Sequence, residues 1–224
     1  MPDTPLITLT VAGTADQIHL SDPRLIVAGY TGRDHQAVQA HIDELAHIGV
    51  TPPPRVPMFY ELNADLLTTD ASVDVAGDKT SGEVEPVLVF HRGRFYLGVG
   101  SDHTDRELET QSIANSKAAA PKPMGAAVVP LVSIEDRWDE IVVTCRTDRQ
   151  PYQQGRLAAM LTPQQLLGKL EANGTKLTAD TVMFCGTLPL LTGEFVYGTR
   201  YEMEMHLPDG QSLTHAYQVK NRSV

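Results

Sequence analysis

The alternation of apolar and polar positions predicts that this chain is built mainly from strands. Within residues 1–30, Ile7, Leu9 and Val11 alternate with polar side chains, and Gly13 marks a turn. Alternation with a period of two is typical of a strand that buries one face. The N-terminal region is therefore predicted to form a small antiparallel unit.

A helical period replaces this alternation between residues 34 and 48. Val38, Ile42, Leu45 and Ile48 recur there at steps of three and four residues. Such spacing places the apolar side chains on one face of a helix and leaves the opposite face to polar residues. The pattern predicts one amphipathic helix.

Short apolar runs dominate the chain after a proline-rich connector at residues 51–57. Two of these runs flank Arg92–Arg94, a turn that predicts a hairpin. A second helix is predicted from Pro163 to Glu171, because Thr162 can cap its N-terminus and proline suits the first helical position. Together these elements predict a mainly β (α+β) fold, rolled or barrel-like, with few helices.

Length and composition limit how the chain can be organised. Its 224 residues, of which 42% are hydrophobic, can bury one substantial core but hardly two. We predict that the N-terminal strands and first helix, residues 1–56, precede one compact core of residues 57–224.

The charge of the chain excludes some partners. A formal net charge of −10 without any basic run argues against nucleic acid, because like charges repel. The first residues carry an acid where a signal peptide carries bases, and no apolar stretch approaches the roughly 18 residues needed to cross a bilayer. We therefore predict a cytoplasmic protein with no membrane or nucleic-acid partner.

Three carboxylates are candidates for a metal site. Glu83 and Glu85 lie two residues apart at the start of an apolar run, so a strand would turn both to one face. Pairing of this run with the next, through the Arg92–Arg94 turn, brings Asp102 back towards them. Oxygen ligands favour Mg²⁺ or Mn²⁺, with Ca²⁺ as a further candidate, over zinc. The alternative for an isolated pair of this kind is an exposed sheet edge.

At these residues the sequence resembles the fumarylacetoacetate hydrolase superfamily, and within it a divergent branch similar to the bacterial DUF2848 family. Five landmarks of the superfamily occur in the expected order, and the resemblance covers residues 57–220. It implies a mixed β-roll or barrel core of the fumarylacetoacetate hydrolase type. The landmarks are Glu83–Glu85, Ser101–Leu108, Ser116–Lys117 followed by Pro123–Gly125, Gln153–Met160 and Phe184–Pro189.

The resemblance implies a divalent-metal-dependent hydrolase or lyase that acts on a small oxo acid or a β-dicarbonyl compound. Glu83, Glu85 and Asp102 would hold the metal, which would stabilise the enolate formed as a C–C bond is hydrolysed. Decarboxylation, hydration or tautomerisation of a 2-oxo acid on the same site are alternatives, as is a non-catalytic binding protein that retains the fold. The resemblance also implies a homodimer.

The predicted first helix resembles a mobile lid that closes over the substrate in this superfamily. His41 and Glu44, three residues apart, share one face of it, so Glu44 can orient His41 as a base. The resemblance assigns to Lys117 the stabilisation of negative charge on the substrate. Taken without the resemblance, His41 is a histidine on a solvated helix face and Lys117 is a surface lysine.

Four further residues fall at positions that the resemblance associates with substrate contact: Arg106, Gln154, Gly186 and Thr187.

Two departures from the superfamily pattern change the expected rim of the pocket. A tight hairpin separates the glutamates from the aspartate where the superfamily has a longer segment, and Pro57–Leu62 lacks a lysine found there in the superfamily. The resemblance therefore does not identify the substrate.

Overall fold

The computed structural model of the chain describes residues 7–47, 49–177 and 180–221. Residues 1–6 of the predicted N-terminal region, Ile48 of the predicted helix and residues 222–224 of the predicted core lie outside the described residues.

Strands dominate the described residues, as predicted. They are β1 (Ile7–Val11), β2 (Gln17–Leu20), β3 (Arg24–Gly29), β4 (Met58–Leu62), β5 (Leu67–Thr68), β6 (Ser72–Val75), β7 (Thr80–Ser81), β8 (Val84–His91), β9 (Arg94–Ser101), β10 (Thr104–Asp105), β11 (Lys122–Pro123), β12 (Ala127–Pro130), β13 (Val142–Thr147), β14 (Gln150–Arg156), β15 (Thr181–Phe184), β16 (Arg200–His206) and β17 (Ser212–Asn221).

The α-helices are short apart from the first and the last. They are α1 (His35–His47), α2 (Arg106–Glu109), α3 (Ile113–Ala118) and α4 (Pro163–Ala172). Single 3₁₀ segments cover Ala64–Leu66, Leu131–Ser133, Glu135–Glu140 and Leu157–Ala159. Within the described ranges, no helix is both long and apolar enough to cross a bilayer.

An eight-stranded sheet in the order β2-β1-β12-β9-β8-β15-β3-β4 forms the body of the molecule. Its central hairpin joins β8 to β9 through Arg92 and Gly93, whose φ angles are 48° and 77°. Positive φ at both turn residues is typical of a type I′ turn, which matches the right-handed twist of the two strands. The predicted hairpin is thus confirmed.

The N-terminal strands belong to this same sheet. As predicted, β1 and β2 are antiparallel. In addition, β1 pairs in parallel with β12, and β3 pairs in parallel with β15. Segments on both sides of the predicted boundary at residues 56 and 57 therefore share one sheet. The division into a lid region and a catalytic core stays a prediction.

A second sheet, in the order β14-β13-β16-β17-β6, packs against the first. Side chains on β8 alternate between the two faces of the large sheet: Leu88 joins the cluster that contains Trp138, while Val87 and Val89 join another. Both faces of the large sheet are consequently buried. The predicted fold class, mainly β with few helices, is confirmed.

Both predicted helices are present. In α4, Thr162 and Gln165 form a capping box and Pro163 occupies the first turn, as the sequence indicated. Along α1, only Ile42 is buried, so this helix lies on the surface with little of its apolar face covered.

Candidate active site

The hairpin brings two buried carboxylates together. Glu85 pairs with Gly100 across the two strands, and the N–H of Asp102 donates a hydrogen bond of 3.0 Å to the carbonyl of Glu83. The exposed fractions of Glu85 and Asp102 are only 2% and 1%. An exposed sheet edge, the alternative for this motif, is therefore not what the structure has at Glu85.

Two lysines approach Asp102 from the segment that follows it. Lys117, on α3, forms an ion pair with Oδ2 of Asp102. Lys122 places its Nζ 3.3 Å from Oδ1 of Asp102. That amino group also donates three hydrogen bonds of 2.6 to 2.8 Å to the carbonyls of His103, Lys117 and Ala120. An ammonium has three donors, so Oδ1 of Asp102 receives no hydrogen bond within the described residues.

The charges of this cluster shift one another's protonation. Burial alone would raise the pKa of Asp102, but Lys117 and Lys122 outweigh it and lower that pKa to about 2. Burial lowers the pKa of Lys122 to about 8, while Asp102 acts against this. Burial also opposes the charge of Lys117, but Asp102 and Glu85 raise its pKa above the ordinary value. Lys117 is therefore held as a cation.

Glu85 lacks such a partner. Burial, followed by the charge of Asp102, raises the pKa of Glu85 well above its usual range. Its Oε2 accepts a hydrogen bond of 2.8 Å from the N–H of Gly186. Among the ion pairs of the described residues, none includes Glu85.

Glu83 is engaged by Arg106, one of the residues expected to bind substrate. Arg106 places Nη2 2.7 Å from Glu83 and Nη1 2.8 Å from Glu109, and its Nε donates to Ser81 at 2.6 Å. Phe195 lies against the guanidinium, 3.8 Å from ring centroid to Cζ. Arg106 thus serves here to hold Glu83, and its expected contact with substrate stays a prediction.

The residues present fit a divalent cation at Glu85 and Asp102. In the described part of the chain, no three His, Cys, Asp or Glu side chains meet as a ready ligand set. Mg²⁺ nevertheless commonly uses only one or two protein carboxylates and completes its shell with water and substrate oxygens. Asp102 Oδ1, buried and without a hydrogen-bond donor, is the kind of atom that such a cation would satisfy. The participation of Glu83 as a third ligand stays a prediction.

The Gly186–Thr187 turn supports the start of β8. The Thr187 hydroxyl donates to the carbonyl of Val84 at 2.8 Å and accepts a hydrogen bond of 2.8 Å from the side chain of Gln153. Gln153 also accepts a 2.9 Å hydrogen bond from the N–H of Val84. The expected residue Gln154 is exposed, because neighbours on a strand point to opposite faces. The structure therefore brings Gln153, rather than Gln154, to the site.

The predicted catalytic pair lies on the exposed face of α1. His41 Nδ1 is 3.9 Å from Glu44 Oε2, and their side chains are 61% and 80% exposed. The ring of His41 lies 6.4 Å from that of Tyr30. This arrangement matches a solvated helix face, and the role of the pair in a closing lid stays a prediction.

Sequence reasoning missed a tyrosine and a buried histidine. Tyr60, on β4, has its ring centroid 5.9 Å from Nζ of Lys117, and burial, followed by Tyr30, raises its pKa to about 12. His103 is fully buried between Thr80 and Tyr217, at 2.9 Å from each hydroxyl. Two features of the sequence could have indicated these residues. His103 follows Asp102 directly, and Tyr60 lies in the Pro57–Leu62 segment, which differs from the superfamily pattern.

Solved structures of the fumarylacetoacetate hydrolase type share this fold. A fumarylpyruvate hydrolase from Pseudomonas aeruginosa, in complex with Mn²⁺ and pyruvate, has a TM-score of 0.69 at 16% identity, covering 99% of this chain and 98% of that one. A putative fumarylpyruvate hydrolase from Burkholderia cenocepacia gives 0.69 at 18% identity, with coverages of 100% and 95%. A 5-carboxymethyl-2-hydroxymuconate delta-isomerase from Mycobacterium smegmatis gives 0.62 at 14% identity, with coverages of 94% and 87%.

The chain therefore shares the fold of these fumarylacetoacetate hydrolase-type structures, as the order of the landmarks predicted. A family model described as "Protein of unknown function (DUF2848)" matches residues 28–217. The chain belongs to the DUF2848 family. None of the curated proteins matches this sequence.

Proposed function

We propose that this protein is a divalent-metal-dependent hydrolase or lyase that cleaves a C–C bond in a small oxo acid or β-dicarbonyl compound. One observation carries the proposal. The buried Glu85 forms no ion pair among the described residues, where Lys117 acts on it only through its charge, and the adjacent Asp102 has a carboxylate oxygen without a hydrogen bond. Buried carboxylates of this kind cost free energy unless a cation compensates them.

The chemistry of the donor set supports Mg²⁺ or Mn²⁺, with Ca²⁺ as a further candidate. Glu85 and Asp102 would hold the ion, with Glu83 as the third expected ligand. When bound, such a cation supplies a Lewis acid that polarises a carbonyl oxygen. The Pseudomonas hydrolase of the same fold was solved with Mn²⁺ and pyruvate, an oxo acid.

The chain's own residues would handle charge and protons. Lys117, held as a cation beside Asp102, would bind the carboxylate of the substrate or balance negative charge that develops on it. His41, oriented by Glu44, would take a proton from water if α1 closes over the site. Gly186 fixes Glu85 through its N–H, so that this carboxylate keeps one orientation.

A second candidate is a non-catalytic binding protein that retains the fold. The observation that favours it is internal charge compensation: Arg106 neutralises Glu83, and Lys117 with Lys122 neutralises Asp102. With these pairs in place, only Glu85 calls for a further cation. The two candidates therefore differ in whether a divalent cation binds at all.

Thermal unfolding with and without Mn²⁺ separates them. For an enzyme of the proposed class, Mn²⁺ raises the unfolding temperature of the wild type, because a ligand that binds only the folded state stabilises it. Asp102→Asn and Glu85→Gln abolish the rise, whereas Glu107→Gln, at an exposed carboxylate on the neighbouring helix, retains it. No rise in the wild type supports the binding protein and removes the proposal.

The reaction itself is tested with a substrate panel. Acylpyruvates, oxaloacetate and oxo-dienoates are incubated with the Mn²⁺-loaded protein, and products are identified by mass. Two carbon fragments plus the elements of water indicate hydrolysis. Loss of CO₂, gain of water or unchanged mass indicate decarboxylation, hydration or tautomerisation instead.

We also propose a homodimer. Four exposed apolar side chains within residues 191–197 support it, because exposed apolar surface marks interaction sites. Light scattering at micromolar concentration should give about twice the 24.4 kDa of one chain. The four are Leu191, Phe195, Val196 and Tyr197.

A further inference from the structure

A cavity of about 270 Å³ lies between the proline-rich connector, β4 and the start of α3. Val50 and Pro53 line it from the connector, Met58 from β4, and Ser112 and Ile113 from the beginning of α3. Its volume is just below the roughly 300 to 1,000 Å³ of pockets that hold a whole ligand. The cavity is therefore of a size for one part of a ligand.

Tyr60 connects this cavity with the carboxylate site. Met58 and Tyr60 are two residues apart on β4, so both side chains lie on the face that lines the cavity. The ring of Tyr60 is also the nearest aromatic contact of Lys117, at 5.9 Å. One side chain thus forms a wall of the cavity and a neighbour of the lysine that pairs with Asp102.

The helix α3 gives the spacing of two residues that mark these places. Ile113 and Lys117 are four residues apart, so they lie on the same helical face, and their Cα atoms are separated by about 6 Å along the helix axis. Extended chain rises about 3.4 Å for every three bonds, so this distance corresponds to roughly five bonds. A substrate whose reacting end lies at Lys117 would reach the cavity with atoms about that far away.

The lining indicates the chemistry of the group that enters. No Asp, Glu, Lys, Arg or His is among the described residues that line the cavity. A charged group would lose part of its hydration there without gaining a charged partner, although Thr51, Gln111 and Ser112 offer polar contacts. Alkyl and aryl groups would gain contact with Met58, Ile113 and the prolines.

We infer that this cavity binds the non-reacting tail of the substrate, and that the tail is an uncharged alkyl or aryl chain. The inference rests on the proposed function, since it needs the oxo-acid end of the substrate at Asp102 and Lys117. It makes the protein selective for oxo acids with a long apolar tail over pyruvate-sized acids and over dicarboxylates of the same length.

The test measures binding instead of turnover. The Mn²⁺-loaded protein is titrated by calorimetry with 2-oxobutanoate, 2-oxohexanoate and 2-oxooctanoate, and with 2-oxosuberate, a dicarboxylate as long as the last. Ala114→Trp narrows the cavity from an exposed position at its rim, and Met58→Trp fills it from β4. The control variant Val132→Trp adds the same bulk at an exposed site outside this cavity, near the Arg92–Gly93 turn of the β8–β9 hairpin.

The expected affinity rises about threefold for each added methylene beyond the sixth carbon, as burial of apolar surface predicts. Both cavity variants lose this rise yet bind 2-oxobutanoate as the wild type does, whereas Val132→Trp keeps the rise. If short acids bind but tail length has no effect, or if 2-oxosuberate binds as well as 2-oxooctanoate, the inference is wrong while the proposed function stands. If no oxo acid binds, both are wrong.

Discussion

The backbone N–H of Gly186 donates a hydrogen bond of 2.8 Å to Oε2 of Glu85, across 101 positions of the chain. Gly186 can do so because its φ is +93°, in a region that favours glycine. A Cβ at this position would lie 2.0 Å from Oγ1 of the buried Thr31. The orientation of Glu85 therefore depends on the absence of a side chain at Gly186, two residues past the end of β15.

We expect Gly186→Ala to destabilise the protein by about 2 to 4 kcal/mol, since the methyl group meets Thr31 and the backbone is strained. Urea unfolding measures the change. Gly168→Ala is the matched control: this glycine lies in α4 with open space around it, so alanine should stabilise by about 0.5 to 1 kcal/mol. Equal stability of the two variants would contradict the role of Gly186.

Lys122 is expected to be a structural cation of the site. Lys122→Met removes three hydrogen bonds to carbonyls and an ion pair with Asp102, all of them buried. Loss of one partner of a buried pair costs about 3 to 5 kcal/mol. Lys220→Met, at an exposed position of β17, should change the free energy of unfolding by less than about 0.5 kcal/mol. The two urea midpoints give the comparison directly.

The two adjacent glutamines should behave differently. Gln153→Ala removes the side-chain partner of the N–H of Val84 and of the carbonyl of Leu188, and a buried unsatisfied group costs about 1 to 3 kcal/mol. The exposed Gln154→Ala should be close to neutral. Thermal unfolding of both variants, with and without Mn²⁺, separates them. A larger loss of stability for Gln154→Ala than for Gln153→Ala would contradict this difference between the two neighbours.

His215 should make the stability depend on pH. Burial lowers its pKa below the ordinary value, against a hydrogen bond with the backbone of Asp70, and its Nε2 has no partner in the described residues. The unfolded chain therefore binds a proton at a higher pH than the folded protein does. Stability from this residue is present above the unfolded pKa of about 6.5 and is lost as pH falls below it.

The comparison of His215→Phe with the wild type isolates that contribution. Between pH 7.5 and pH 5, the free energy of unfolding of the wild type should fall more steeply than that of the variant. Parallel curves would show that His215 is neutral or charged alike in both states.

Local rules predicted much of this molecule, and long-range contacts account for what they missed. The type I′ turn at Arg92 and Gly93 fixes the register of its hairpin, and this register alone carries Asp102 back to the glutamates. The capping residues of α4 are equally local. By contrast, the ion pair of Glu83 with Arg106 depends on how the chain folds back over the 23 positions that separate them, and the spacing of apolar residues does not predict this.

The exposure of Gln154 has another origin. A shift of one residue on a strand turns a side chain to the opposite face, and the order of the landmarks does not specify which of the two glutamines faces inward, so the contact of Gln154 with substrate stays a prediction. The role of Tyr60 could not be predicted locally, because its ring lies near Lys117 only through contact between β4 and α3, which are distant along the chain.

The fully buried strand β15 lies between β8 and β3 in the large sheet. Its four residues come from the last fifth of the sequence. During synthesis, β3 and β8 must therefore wait as open edges until Phe184 has left the ribosome, and such edges readily pair with other chains. Shortened forms that end before Thr181 should therefore accumulate as aggregates. Pairing of β15 with β8 and β3 is then the step that commits the nascent protein to its native form.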